Sequence, residues 1–459
     1  MKVRLVTLVM FVVIATLSAV LIATPATPAA AVRAASGARM PALSASALTT
    51  TTFLPLVLNC YPRQGPDPYF SSQYDMSIIN ADDAWGLCNL HAGGVTIAII
   101  DSGVDLDHPD LQANLLPGYD YVSNDAVPED GQGHGTNVAG IAAAALNGIR
   151  VAGVAPTARI LPVRVLNNNG SGSYSGVAAG IIYAADRAQI LNLSLGGATN
   201  SAAIQDAINY AVNTKGRLVV AAAGNCGDTY FSSNGCSYMN QPLYPAAYSN
   251  VMAVASTTAS DTRSSFSNVG SYVDIAAPGS NIYNTYYGNG YTSMSGTSQA
   301  APHVAGLAAL VWAKNPGYTA AQVWNRMTST AIDLGTAGVD SSFGAGRIDV
   351  KQALGLTVLQ TNQPEMNLGQ AAAVPAVDQR TAPFAPGRII VKFKDTVSPT
   401  TFARVMAALP HTEVNAVLPA IDVQVLHVPV GAEWMMIDQL RTRPEVEYAE
   451  PDYILHWIR

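Results

Sequence analysis

Three short segments carry residues that could share one reaction. The first is Ile99-Ile100-Asp101-Ser102-Gly103, an apolar run that ends in a carboxylate and then a glycine turn. The second is Gly133-His134-Gly135-Thr136, where glycines on both sides let the backbone turn and present an imidazole. The third is Ser295-Gly296-Thr297-Ser298-Gln299-Ala300-Ala301-Pro302-His303, a glycine loop running into a helical stretch. Pro302 is tolerated there because the first helical turn has no internal partner for its N–H. A serine at a helix N-terminus sits beside free amide donors and the positive end of the dipole, which favours an oxyanion. An imidazole can take that serine's proton, and a carboxylate can fix the ring's tautomer and stabilise the imidazolium. Each segment alone has an ordinary reading as a turn or loop. In the order Asp101, His134, Ser298 they predict nucleophilic catalysis through an acyl-enzyme. Ser298, rather than Ser293 or Ser295, is the expected nucleophile because it stands at the start of the helix.

These residues need a rigid frame, and the flanking sequence supplies one. Short apolar, β-branched runs at 95–100, 159–165, 189–193, 218–223 and 251–255 read as strands. Stretches 175–185, 203–212 and 300–313 read as helices between or after them. Continuous apolar strands separated by helices imply an α/β fold, a mostly parallel twisted sheet covered by helices on both faces. Catalytic groups in such sheets collect at the carboxyl ends of strands, where Asp101 falls. This domain is expected to span residues 66–356. Residues 357–386 lose the periodicity and gain Gln, Pro and Ala, as a linker does. Beyond it, strands near 388–393, 413–418, 422–428 and 446–454 and helices near 400–408 and 433–440 predict an α+β, ferredoxin-like β-α-β-β-α-β domain over 387–459.

A chain of 459 residues suits two such domains plus export and linker segments. With 12% charged residues and a net charge of −7, nothing supplies the basic stripe that nucleic-acid binding needs. Lys2 and Arg4, an apolar run from Leu5 to Ile22 and the small residues Ala29-Ala30-Ala31 have the order of a secretory signal over 1–31. The run is also long enough for a retained membrane anchor. Either way the protein is expected outside the cytoplasm, with no further membrane contact once a signal is removed, and residues 32–65 form an N-terminal arm. Four cysteines then suggest two disulfides. Cys226 and Cys236 flank a Gly/Ser/Asn-rich loop and suit a local staple, leaving Cys60 with Cys88; free thiols are the alternative.

At the three catalytic segments the chain resembles the subtilisin-like serine proteases (subtilases, peptidase family S8), nearest their thermitase-like branch. The likeness runs from Asp67-Pro68-Tyr69-Phe70 to Gly346-Arg347-Ile348. It includes Ser194-Leu195-Gly196-Gly197, Ala221-Ala222-Ala223-Gly224-Asn225 and Ala276-Ala277-Pro278-Gly279. The resemblance implies a monomeric, secreted serine endopeptidase of broad specificity acting on proteins and peptides. It implies that Asn225 donates its side-chain amide to the oxyanion beside the Ser298 backbone N–H. Gly170-Ser171-Gly172 and Ser194-Leu195-Gly196 should offer two edges to which an extended substrate adds as a strand. With Ala222 and Gly224 they should line the substrate site, and small walls leave room for a bulky apolar P1 side chain. Asn137 stands where the family often repeats a histidine. Gln299 stands where many relatives have methionine, which predicts tolerance to peroxide. A catalytically silent binding protein on the same scaffold is the alternative, and the intact Asp101, His134, Ser298 and Asn225 speak against it.

No cofactor is expected for the chemistry, but structural Ca²⁺ is. Asp120, Asp125 and Glu129 space three carboxylates along a loop before His134, and hard oxygen donors on a loop suit Ca²⁺. The resemblance implies calcium there, and again at Asp67, Asp110 and the Asn147 loop with carbonyls of Ile149 and Val151; a solvated acidic loop is the alternative. Subtilases also carry a pro-domain between signal and protease, for which residues 32–65 are too few. The unit from Pro386-Gly387-Arg388-Ile389 to Glu450-Pro451-Asp452-Tyr453 resembles an inhibitor I9-like pro-domain at the other end of the chain. It is expected to inhibit in cis, laying residues 453–459 along the cleft, unless it is an inert appended module.

Overall fold

The computed structural model describes residues 67–85, 92–228, 236–356, 379–409 and 411–458. The expected signal and arm, Cys60, Cys88 and most of the linker lie outside the described residues. Strands in the first two-thirds are β1 (Thr96–Asp101), β2 (Tyr119–Asp120), β3 (Arg159–Arg164), β4 (Ser171–Ser173), β5 (Ile190–Leu193), β6 (Leu195–Gly196), β7 (Leu218–Ala222), β8 (Met252–Thr257), β9 (Ile275–Pro278), β10 (Ile282–Tyr286) and β11 (Gly290–Met294). Seven of them form one sheet in the order β2-β3-β1-β5-β7-β8-β9. Every neighbouring pair in it is parallel.

β1, β5, β7 and β8 are buried along their whole length, which is why their sequences are continuously apolar rather than alternating. Ile97, Ile99, Val220 and Val254 face one apolar cluster, and Ala98, Ile100, Leu191 and Val219 face a second on the other side. Helix Thr297–Lys314 contributes Val304, Leu307 and Val311 to the first. Helices Tyr174–Ala185 and Ala202–Asn209 contribute Val177, Ile181 and Ile204 to the second. The sequence does not announce β9, four residues long, or the hairpin β10–β11, whose strands are rich in Tyr, Thr, Asn and Ser and lack an apolar run. Among the described residues no helix is long and apolar enough to cross a membrane.

The last part contains β12 (Phe384–Phe393), helix Pro399–Ala407, β13 (Glu413–Leu418), β14 (Val423–His427), helix Glu433–Arg441 and β15 (Val446–Trp457). These four strands pair antiparallel in the order β13-β14-β12-β15. One face of the sheet packs Ile389, Val391 and Leu426 against Val405, Ile437 and Leu440 of its own two helices. Ile390, Val423, Tyr453 and Leu455 point the other way and join the second apolar cluster around Tyr174 and Ile181. The domain thus rests its open face on helices 174–185 and 202–209. β12 starts four residues earlier than the sequence suggests. β15 runs to Trp457, and its end leaves its own domain to pair with β4 and β6.

Candidate active site

Asp101 is the last residue of β1, so the sheet itself carries its carboxylate to the cleft floor. Asp101 Oδ1 lies 2.7 Å from His134 Nδ1 and also accepts the Ser102 N–H at 2.7 Å. Both Asp101 and His134 are buried. His134 opens helix His134–Ala143 rather than sitting in a loop, which corrects the expected double-glycine turn. Only Gly133 turns the chain, with φ 101°. Gly135 is already helical; a Cβ there would overlap the Gly103 carbonyl, so glycine lets the helix pack on the loop after β1.

Asp130 joins the two segments, and no pattern in the sequence distinguishes it. Its Oδ1 accepts from Ser102 Oγ (3.0 Å) and from the Gln132 and Gly133 amides (2.9 and 2.8 Å). Its Oδ2 accepts from Thr136 N and Oγ1 at 2.9 and 2.6 Å. A buried carboxylate with five donors is fully satisfied, and it ties the loop after β1 to the start of the histidine helix.

Ser298 is the second residue of helix Thr297–Lys314. Pro302 falls inside the helix rather than in its first turn as expected; it has no N–H to return to the Ser298 carbonyl, and Ser194 Oγ donates to that carbonyl instead, at 2.8 Å. Asn225 Oδ1 accepts from Thr297 N at 2.9 Å and Thr297 Oγ1 at 2.8 Å. Those bonds fix which end of the Asn225 amide is the donor end. A Cβ built on Gly296 would sit 3.0 Å from Asn225 Nδ2 and 3.3 Å from the Ile458 carbonyl oxygen, so both border the space that Gly296 leaves open. Cys226, next to Asn225, forms the expected disulfide with Cys236.

The cleft is filled by the chain's own tail. β15 pairs antiparallel with β4 (Leu455 with Gly172, His456 with Ser171) and with β6 (His456 with Gly196, Trp457 with Leu195). The Trp457 N–H donates to the Gly170 carbonyl at 3.0 Å, and the Ile458 N–H to the Ser194 carbonyl at 3.4 Å. Ser298 Oγ donates to the Ile458 carbonyl at 2.7 Å, and lies 3.0 Å from the Ser194 carbonyl. The Trp457 ring stands edge-on to His134 with centroids 4.6 Å apart. His134 Nε2 is buried and has no hydrogen-bond partner among the described residues. Ile458 is 3% exposed and shares an apolar cluster with Ala222. A Cβ on Gly196 would come within 2.9 Å of its Cδ1. Gly224 instead packs on Asn268, whose Nδ2 a Cβ would approach to 2.6 Å.

Two carboxylates behind the tail anchor it. Glu450 accepts from Ser201 Oγ (2.6 Å) and from the Ala202 and Ala203 amides (both 3.1 Å), capping helix Ala202–Asn209. Asp452 accepts from Ser175 N at 2.9 Å and Oγ at 2.8 Å, at the start of helix Tyr174–Ala185, and from Arg388 Nη2 at 2.6 Å. Burial pushes both carboxyls above the usual range, and these donors pull back against it.

The two acidic regions expected to hold calcium differ. Asp67 Oδ2 and Asp110 Oδ1 are buried with no hydrogen-bond partner among the described residues. Burial, with Asp110 adding repulsion, raises the Asp67 carboxyl to about 6. Orphaned anionic oxygens of this kind fit a hard cation. Val151 N donates to Asp110, and Asn147 Oδ1 accepts from Ile149 N, so the loop already folds around the two carboxylates. The Asp120 loop does not fit in the same way. Asp120 Oδ2 pairs with Arg164 Nη1 at 2.6 Å, and Oδ1 accepts the Val122 and Ser123 amides. Asp125 closes its own turn through Val127 N, and Glu129 faces Leu106 N. Here an arginine and backbone amides meet the charge expected for a metal. Among the described residues no three acidic, histidine or cysteine side chains gather around one point.

A sequence model of the Subtilase family matches residues 92–346. The model of the Fervidolysin N-terminal prodomain matches residues 370–452, so the C-terminal domain is similar to a pro-domain of that description and not specifically to the I9 type expected. Thermitase of Thermoactinomyces vulgaris is 48% identical over 63% of this chain and 98% of its own. The thermophilic serine proteinase of Bacillus sp. strain AK1 is 45% identical over 63% of this chain and 68% of its own. Subtilisin DY of Bacillus licheniformis is 41% identical over 61% and 97%. A solved cold-adapted subtilisin-like serine proteinase, 38% identical, aligns over 57% of this chain and 90% of its own with a TM-score of 0.49.

Proposed function

The chain belongs to the subtilase family of serine endopeptidases, and from that premise we propose a secreted enzyme of broad specificity that its own C-terminal domain holds inactive. The observation that carries the second half is the tail itself. It occupies both substrate edges as a strand, with the Ser298 proton directed at the Ile458 carbonyl instead of at His134.

Once the tail leaves, a substrate takes the same strand position and puts its scissile carbonyl where that of Ile458 lies. Ser298 Oγ attacks while His134 Nε2 takes its proton, and Asp101 holds the ring and stabilises the imidazolium. The oxyanion is met by Asn225 Nδ2 and the Ser298 N–H at the positive end of the helix. His134 returns the proton to the leaving amine, and water repeats the sequence on the acyl-enzyme. Ile458, sealed among apolar residues, favours an apolar P1 side chain.

Asp67 and Asp110 would hold a structural Ca²⁺, with carbonyls of the 147–151 loop completing its shell; calcium supplies stability and no chemistry. The inert-module reading is disfavoured by Glu450 and Asp452, which engage two protease helices. Expressing residues 1–379 beside the full chain tests the proposal. Faster fluorophosphonate labelling of Ser298 in the shorter protein, reversed by adding the C-terminal domain in trans, is the expected result. Equal labelling in both would leave the domain inert.

A further inference from the structure

We infer that the subsite immediately before the scissile residue is shaped for an aromatic side chain, with His134 and Gly170 as its two faces. The inference rests on the proposed reading of the tail as a substrate-like strand. The Ile458 carbonyl is the one that Ser298 Oγ reaches, so Trp457 holds the preceding position. One side of its ring meets the catalytic imidazole, with centroids 4.6 Å apart and planes inclined by 68°. That is a favourable aromatic geometry.

A second wall is defined by what residue 170 lacks. A Cβ built there would overlap both Cδ1 and Nε1 of Trp457. The indole therefore occupies the volume that any other residue at 170 would claim. Gly170 also sits at φ +72°, a conformation that glycine reaches freely. Its carbonyl takes the Trp457 N–H, so the wall that clears the ring also fixes the backbone carrying it. The neighbouring tail residue is treated differently: His456 is half-buried and its Nδ1 is 2.9 Å from Ser171 Oγ. The aromatic fit belongs to one position and is not a general stickiness of the cleft.

The test uses two peptide anilides, succinyl-Leu-Ala-Xaa-Ile p-nitroanilide with Xaa as Trp or Ala, competing in one sample. The enzyme is the full chain and its Ile458→Asp variant, which puts a charge into the apolar pocket the tail fills. The ratio of kcat/KM for two competing substrates does not depend on the fraction of sites the tail covers. The Trp peptide should be preferred about fivefold, and Gly170→Ala should bring the ratio close to one. A ratio at or below one, or one that Gly170→Ala leaves unchanged, overturns the inference. If Gly170→Ala does not fold, the series Trp, Phe, Leu, Ala on the unsubstituted wall decides, with Leu expected near Ala and an equal Leu and Trp overturning it. Cleavage of both peptides at equal rates sinks this inference alone. No cleavage by Ile458→Asp together with no fluorophosphonate labelling of Ser298 sinks the reading beneath it.

Discussion

The protease domain and the C-terminal domain hold their working atoms in opposite ways. In the protease Asp101, His134 and Asn225 are held from within, by Ser102, Asp101 and Thr297, and so is the Ser298 backbone carbonyl, by Ser194. In the C-terminal domain the end of β15, Leu455–Trp457, pairs with strands of the other domain, and Glu450 and Asp452 meet protease helix starts. Its far edge strand β13 is mostly exposed. One domain is self-sufficient at its site; the other completes its last strand by borrowing two edges. Chemistry should therefore be destroyed by changes on one side and inhibition by changes on the other.

The largest expected effect tests that separation. Ser298→Ala should lower kcat by roughly 10⁶-fold, the size known for subtilisin's nucleophile. Hydrogen exchange at the Leu455–Trp457 amides should stay as slow as in the unsubstituted chain; fast exchange would mean that docking depends on the nucleophile, and the comparison would fail. Asn225→Ala should cost about 10²- to 10³-fold in kcat with little change in KM, again the subtilisin magnitude. An equal loss in KM would instead assign Asn225 to ground-state binding.

On the other side, Glu450→Ala keeps the Ser201 cap of helix Ala202–Asn209 but removes the acceptor of the Ser201 hydroxyl and of the Ala202 and Ala203 amides, a loss of about 1–3 kcal/mol. Inhibition should weaken about tenfold, read as a rise in basal turnover of a small peptide with unchanged KM of the released enzyme. The smallest effect is one of pH. The Asp67 carboxyl is raised to about 6 without a cation, so its contribution to stability is present at low pH and lost as pH rises through 6. In EGTA the melting temperature should fall between about pH 4 and 6 and level off above, and excess Ca²⁺ should abolish that fall. A slope that persists with calcium would remove Asp67 from the site.

Much of the frame was legible because burial on both faces leaves continuous apolar runs, as at Ile97–Ile100 and Leu218–Ala222. The Ser298 segment was legible because a glycine turn followed by a serine and an apolar helical run marks the point where a helix begins; Pro302 lies inside that helix, not in its first turn. What stayed hidden depends on partners distant in sequence. Asp130 looks like any loop carboxylate until its five donors converge. The Asp120 loop has the spacing of a cation site, but Arg164, forty-four residues away, takes the charge. Glu450 and Asp452 gain meaning only from helices more than two hundred residues earlier. The hairpin β10–β11 is stabilised by its packing on the histidine helix, where Thr285 Oγ1 donates to the Thr136 carbonyl, and its own sequence is too polar to announce it.

On the proposed reading the strand in the cleft is covalently part of the enzyme it blocks, and that decides how it behaves once such an enzyme is secreted and spreads. A separate inhibitor of ordinary affinity is lost on dilution. A tethered strand faces its site at an effective concentration on the order of millimolar whatever the volume. On the proposed reading, a single cut anywhere between the two domains converts a volume-independent lock into an ordinary bimolecular complex. Dilution then finishes the release, and the enzyme becomes active as it leaves the place where it was made.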